Sequence, residues 1–149
     1  MQESAQIADF YRHIRGYWGN LSASSDGRKS GMLNFGYWLN GSDDLFQAQY
    51  NLLEKVRSSM DHDSPAASGL EIGCGIGGIS IGMLKSMQSL HMTSIDISRE
   101  QLDIARQNAI ENGVLSRLRL VECSAMALPF DSGQFDFTLC VESSFHYDD

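Results

Sequence analysis

The stretch that most limits what this chain can become is Leu70 to Gly78, LEIGCGIGG. An apolar run, Gly69-Leu70-Glu71-Ile72, meets Gly73, Gly75, Gly77 and Gly78. An apolar pattern of helical period then continues through Ile79, Met83, Leu84 and Met87. The pattern predicts a strand, a tight turn and a helix start. A turn without Cβ atoms accepts positive φ and lets a ligand lie on bare backbone, and a helix N-terminus offers N–H groups to it. The expected ligand is a nucleotide-type cofactor.

The chain on either side keeps the same alternation. Ile7, Phe10, Tyr11, Ile14 and Trp18 recur at helical spacing and predict a helix from Ser4 to about Trp18. Asn20 to Gly41 reads as loop, interrupted by Leu33-Asn34-Phe35-Gly36-Tyr37-Trp38. Its rings are expected to be buried, either under the loop or as a ligand wall. Ser42-Asp43-Asp44 predicts a helix start with acids in the first turn, and Leu45, Leu52, Leu53, Val56 and Met60 give that helix an apolar stripe. Asp61 to Ser68 is a polar connector with Pro65. It divides an N-terminal helical cap and aromatic loop, residues 1–62, from a cofactor-binding half-domain, residues 63–149.

Beyond the glycine turn the helix is expected to run to about Ser89. His91 to Asp96 is a second strand, and Ser98 with Gln101 forms a capping box. Leu102, Ala105, Ala109 and Ile110 face that helix inward, and Asn112-Gly113 ends it. Leu118 to Glu122 is a third strand, Asp131-Ser132-Gly133 a turn, and the alternation Phe135, Phe137, Leu139, Val141 a fourth strand. The fold class expected is α/β: a Rossmann-like parallel sheet with flanking helices, incomplete at about four strands, carrying an N-terminal helical cap. Ligands in such sheets bind beyond the carboxyl ends of the strands. Gly73 to Gly78, Asp96, Ser124 to Met126 and Glu142 to His146 fall there.

Charge narrows the partners. A net charge of −8 argues against nucleic acid, which needs a cationic surface. Cys74, Cys123 and Cys140 have no metal spacing and read as reduced thiols of a cytoplasmic protein. The start lacks the pattern of a signal peptide, and no apolar run approaches the roughly 18 residues of a membrane span. No metal and no membrane partner are expected.

Gly73, Gly75 and Gly78 satisfy G-x-G-x-x-G, and Asp96 follows where a ribose-binding acid belongs. A dinucleotide-binding domain shares both features, so a nicotinamide-dependent oxidoreductase stays open. Glu71 tips the balance. A carboxylate beside the turn repels a pyrophosphate and attracts a ligand that carries an ammonium and a sulfonium. At about 4 Å that attraction is worth roughly 1 kcal/mol in water and several-fold more in a partly desolvated cleft.

LEIGCGIGG resembles the first motif of class I S-adenosylmethionine-dependent methyltransferases. SIDIS, Ser94 to Ser98, is similar to their acidic second motif. CSAMALPFDSGQFD, Cys123 to Asp136, looks like the stretch that flanks adenine. VESSFHYDD, Val141 to Asp149, and NFGYW, Asn34 to Trp38, are similar to segments of the branch that methylates sugars, sterols, tocopherols and glycine-type amines. The resemblance implies transfer of a methyl group from S-adenosyl-L-methionine to O, N or C of a small molecule. It implies that Gly73, Cys74 and Gly75 carry the methionine part, with Glu71 near its amino group. Asp96 would accept the ribose hydroxyls. Ile97, with Gln101 nearby, would cover one face of adenine, and Ala125 and Met126 the other. Ser124 stands where the family often has Asp. Glu142 would lie near the sulfonium, Tyr37 would close over the cofactor, and His146 would serve as base for a hydroxyl acceptor.

Members of the family continue past the fourth strand, whereas this sequence stops at Asp149. The expectation is a cofactor-binding half that is poorly active alone, with an open strand-four edge suited to self-association. Two other readings remain at this point: the oxidoreductase, and a non-catalytic cofactor-binding or interaction module. Titration with S-adenosylhomocysteine and with NADH separates them.

Overall fold

The computed structural model describes residues 6, 9–14, 17, 27, 29–41, 43–60 and 67–147, without the His146 side chain. The chain divides into two compact units, Met1–Asp61 and His62–Asp149.

In the N-terminal unit, residues 9–14 are helical, and the remainder of the helix expected from Ser4 to Trp18 lies largely outside the described residues. Helix α1 spans Leu45–Ser58. Its acids do not lie in the first turn. Asp44 is the N-cap, and its Oδ1 accepts the Gln47 N–H at 2.8 Å. Asp43 Oδ2 ties back the loop, accepting from Leu39 N at 3.0 Å and Asn40 N at 3.1 Å. A side chain at the N-cap reaches an orphan N–H that one inside the turn cannot. The buried face is Phe46, Ala48, Gln49 and Leu53 rather than the expected stripe. Gln49 is fully buried because its amide staples the loop: Nε2 donates to Met32 O at 3.2 Å and Asn34 O at 2.7 Å, and Ser30 Oγ donates to Oε1.

The expectation of buried rings in the aromatic loop is corrected. Phe35, Tyr37 and Trp38 are 61%, 44% and 53% exposed. Main-chain contacts hold this loop instead. Gly36 has φ +78°, and a Cβ there would stand 2.7 Å from that of Ala48. Tyr37 N donates to Ala48 O at 2.7 Å. The backbone is pressed to the helix, which leaves the rings outside.

The C-terminal unit is a four-stranded parallel sheet: β1 Ser68–Ile72, β2 His91–Asp96, β3 Leu118–Glu122 and β4 Phe137–Leu139, in the order β3-β2-β1-β4. Helices α2, Gly78–Ser86, and α3, Arg99–Glu111, are the crossovers. Met83, Leu84, Leu90, Met92 and Ile95 form the centre of the core. α2 ends three residues before the expected Ser89, at Ser86, where Arg117 reaches across to its carbonyls and donates to Leu84 O at 2.6 Å and Met87 O at 2.9 Å. Ile110, expected inside, is 52% exposed, because Leu102, Ala105 and Ala109 complete the inner stripe of α3.

β4 is only three residues long, shorter than its alternation. Among the described residues β4 is the end strand of the sheet, paired on one side only, with β1, and Phe135, Phe137, Leu139 and Val141 are half-buried. Phe135 packs edge-on against Phe130, with centroids 5.1 Å apart, and Phe137 lies over Gly69 of β1. A Cβ on Gly69 would enter that ring and come within 2.6 Å of the Met92 sulfur. Gly69→Ala is therefore expected to destabilise the unit by about 1–3 kcal/mol, measured by urea unfolding, as overpacking does.

Because the chain goes from β2 out to β3 and then back to β4 beside β1, strand order reverses between β1 and β4. A crevice at such a switch point, beyond the strands' carboxyl ends, is where this architecture places ligands.

Candidate functional site

The turn after β1 occupies that switch point. Gly73, Gly75 and Gly77 have φ of +71°, +53° and +82°, a region closed to most side chains. The N–H groups of Gly73 and Cys74 both donate to Ile95 O, each at 2.9 Å, so the turn is stitched to β2. Gly77 is the N-cap of α2, and a Cβ on it would lie 3.1 Å from that of Ala105. Only glycine lets α2 begin so close to α3. Asn108 Nδ2 holds the Ile76 carbonyl at 2.9 Å from the other side.

Asp96, at the end of β2, reaches across. Its Oδ2 accepts the Gly75 N–H at 2.9 Å and its Oδ1 the Ser98 N–H at 2.9 Å. The glycine turn and the strand-end acid are thus one hydrogen-bonded unit. Ser98 caps α3, accepting the Gln101 N–H at 3.4 Å. The capping box is only half made, since Asp96 has taken the Ser98 N–H that the Gln101 side chain would have bonded. Gln101 is 4% exposed and its Oε1 has no partner among the described residues. Such an acceptor is costly to bury unless something donates to it.

Glu71 does not stand open at the strand end as the sequence suggested. It is 3% exposed, lying beneath the start of α2. Its Oε2 accepts the Ser80 hydroxyl and, at 3.2 Å, the Ser80 N–H. With the Ser80 proton used there, Ser94 donates to Ser80 Oγ at 2.6 Å. A buried polar chain therefore links β1, α2 and β2. Burial pushes the Glu71 carboxyl up to about 7, the Ser80 bonds oppose this, and the charge of Asp96 adds to it. Burial also raises the Cys74 thiol well above its ordinary value, with Glu71 and Asp96 adding, so Cys74 is an inert neutral group of the turn.

The remaining expected residues are spread along the strand ends. Ile97 is half-buried after Asp96. Ser124 makes a local turn in which its Oγ accepts the Met126 N–H at 3.2 Å, Ala125 is half-buried and Met126 is 61% exposed. Glu142 has φ +53°, a strained value for a residue with a side chain. Tyr37 belongs to the N-terminal unit, and the His146 side chain lies outside the described residues. Cys74 is buried, Cys123 half-buried and Cys140 exposed, all as free thiols. Among the described residues no group of His, Cys, Asp or Glu is placed to hold a metal ion, and no helix is long and apolar enough to cross a membrane.

Four residues of this site escaped the sequence: Ser80, Ser94, Ser143 and Tyr147. A serine inside the apolar run of α2 was the one available signal, for Ser80. Ser143 Oγ bonds Ile72 O at 2.8 Å across the whole unit, which no local pattern shows.

A parallel sheet with a glycine turn bonded to a strand-end acid at its switch point defines a nucleoside-cofactor-binding fold of the Rossmann-like class. Residues 70–149 match the methyltransferase-domain family, and the chain belongs to it. The chain is 28% identical to erythromycin 3''-O-methyltransferase of Saccharopolyspora erythraea over 78% of its own length and 38% of that protein's. It is 26% identical to ajmaline N-methyltransferase of Rauvolfia serpentina over 96% of itself and 49% of that protein. The chain thus spans about half or less of these relatives. Among solved structures, the [4+2]-cyclase SpnF superposes with a TM-score of 0.77 at 26% identity, covering 91% of this chain and 47% of SpnF. Geranyl diphosphate C-methyltransferase from Streptomyces coelicolor A3(2), in complex with Mg2+, geranyl diphosphate and S-adenosyl-L-homocysteine, superposes with 0.70 at 18% identity, covering 93% and 56%. The oxidoreductase reading finds no support among these relatives.

Proposed function

We propose that this protein binds S-adenosyl-L-methionine at the glycine turn and transfers its methyl group to O, N or C of a small molecule. The observation that supports the reading is the bond from Gly75 N to Asp96 Oδ2, which sets a carboxylate, of a kind that suits a ribose diol, beside a bare turn. One ligand with an amino-acid end and a ribose end fits both. The Gly78 and Ile79 N–H groups, which have no intrahelical partner at a helix start, suit its carboxylate. The orphaned Gln101 Oε1 suits the amino group of adenine, with Ile97 on one face of the ring and Ala125 and Met126 on the other.

The bound cofactor supplies an electrophilic methyl on a sulfonium, and the protein's contribution is alignment and exclusion of water. Glu71 acts through the turn rather than by contact: its buried carboxylate makes the region favourable to a cation. Glu142 would add to that field at the sulfonium end, and Tyr37 would cover the cofactor. His146 would take the proton of a hydroxyl acceptor. The free cysteines suit a cytoplasmic location.

Incubation with labelled S-adenosylmethionine and small hydroxyl, amine and carbon acceptors should give S-adenosylhomocysteine. Asp96→Ala should weaken S-adenosylhomocysteine binding by about 1.5–3 kcal/mol, as loss of charge-assisted hydrogen bonds does; calorimetry showing unchanged affinity removes Asp96 from the site. The likeness to SpnF gives a second reading, in which the same fold serves a cyclisation. Tight cofactor binding with no transfer to any acceptor would favour it.

A further inference from the structure

The peptide unit joining Ile72 to Gly73 is clamped on both sides. Its N–H donates to Ile95 O of β2 at 2.9 Å. Its C=O accepts from Ser143 Oγ, beyond β4, at 2.8 Å. A serine hydroxyl has one proton, and here it goes to Ile72 O. The 2.7 Å bond between Ser143 Oγ and the Tyr147 hydroxyl is therefore donated by tyrosine. Cys140 Sγ lies 3.2 Å from the same Ser143 oxygen and 3.7 Å from the tyrosine hydroxyl, closing the group.

These side chains also fill the space beside Gly73. A Cβ built there would be 2.5 Å from both Cβ and Oγ of Ser143 and 3.0 Å from the Tyr147 hydroxyl. The left-handed conformation of Glu142, at φ +53°, turns the chain back so that Ser143 meets the end of β1. Ser143 is 8% exposed, and burial holds the Tyr147 phenol above its ordinary value, so it stays a donor and is no candidate base.

We propose that Ser143 and Tyr147 are positioning residues for the cofactor. The relay from the Tyr147 hydroxyl through Ser143 Oγ to the Ile72 carbonyl fixes the peptide plane that sets Gly73 at positive φ. The seat for the cofactor's amino-acid end is thus held from the segment that carries Glu142 and His146. Anything that shifts residues 142–147, such as an acceptor binding beside them, changes cofactor affinity through this relay. The inference rests on the cofactor reading given above.

The test is S-adenosylhomocysteine titration of the parent, Ser143→Ala, Tyr147→Phe and the double variant, with thermal unfolding run in parallel. Tyr147→Phe should weaken binding roughly threefold to tenfold, and Ser143→Ala, which leaves two polar groups unpaired, tenfold or more. The double variant should bind no more weakly than Ser143→Ala alone, since a relay fails as a unit. Lower unfolding temperatures with affinities within about twofold of the parent would make the group a structural strut and overturn the proposal. Additive losses would overturn the relay. If Ser143→Ala does not fold, Tyr147→Phe decides alone by the same criterion. A parent that binds no S-adenosylhomocysteine overturns both this and the functional reading, whereas a parent that binds it beside unaffected variants overturns this one only.

Discussion

Gly73→Ala is expected to cost about 2–5 kcal/mol of stability and to empty the site. The two contributions are separate. A left-handed conformation costs a residue with a Cβ about 1–2 kcal/mol. Gly73 has φ +71°, and both bonds of the peptide before it prevent relaxation. Overpacking adds about 1–3 kcal/mol. The new methyl would meet Ser143 Cβ at 2.5 Å, a rigid atom rather than the tip of a flexible side chain. Denaturant unfolding measures the first consequence, and S-adenosylhomocysteine titration of the folded fraction the second. Gly133→Ala is the comparison. Gly133 also has positive φ, at +76°, but a Cβ there meets nothing within 4 Å, so only the conformational cost should appear. Equal losses at both positions would show that the space around Gly73 is not the constraint described.

The second large effect is a pH dependence. Between about pH 4.5 and 7, the parent is expected to lose about 3 kcal/mol of stability that Glu71→Gln retains. The Glu71 carboxyl is raised from 4.5 to about 7 chiefly by burial, with the Ser80 bonds opposing and Asp96 adding. Over that interval the folded state keeps a proton the unfolded chain has released. Stability therefore falls as pH rises. Below the interval both states are protonated and the contribution is whole; above it both are ionised and it is gone. At about 1.36 kcal/mol per unit the loss is about 3 kcal/mol. Glutamine keeps the acceptor for Ser80 and has no charge to bury, so subtracting its profile isolates Glu71 from the other acids. Urea unfolding of both proteins at about pH 5 and about pH 8 makes the measurement, and parallel profiles would refute it. A cationic cofactor draws the same proton off. Its affinity should then rise with pH toward about 7, and flatten in Glu71→Gln.

Much of the C-terminal unit was legible in the order of residues. His91–Asp96 and Leu118–Glu122 were found at their observed limits, because each is a short strand-like segment between a helix and a turn, and Leu118 and Leu120 alternate with polar residues. Ser98 announced its helix by capping chemistry, which is local. The glycine turn was visible because left-handed backbone leaves glycine as its mark. Less could be read where partners are distant. The alternation Phe135 to Val141 overstated β4, since strand length is set by pairing with Gly69, Leu70 and Glu71 and not by the pattern itself. The rings of the aromatic loop promised burial, but backbone contacts with Ala48 left them outside. Gln49, outside the apolar stripe read from the sequence, is the most buried polar side chain of α1, because three loop residues use its amide.

The sequence by itself determined the strand–turn–helix unit, the acid that follows it and the family they belong to. Each is encoded within a few neighbours, by glycine conformation, capping and hydrophobic period. Only the tertiary structure decided what the acids do. It buried Glu71 on Ser80, joined Asp96 to Gly75, and brought Ser143 and Tyr147 onto the peptide before Gly73. Those pairings arise from strand order, which puts β4 beside β1, and hydrogen bonds across such a fold leave no periodic trace along the chain.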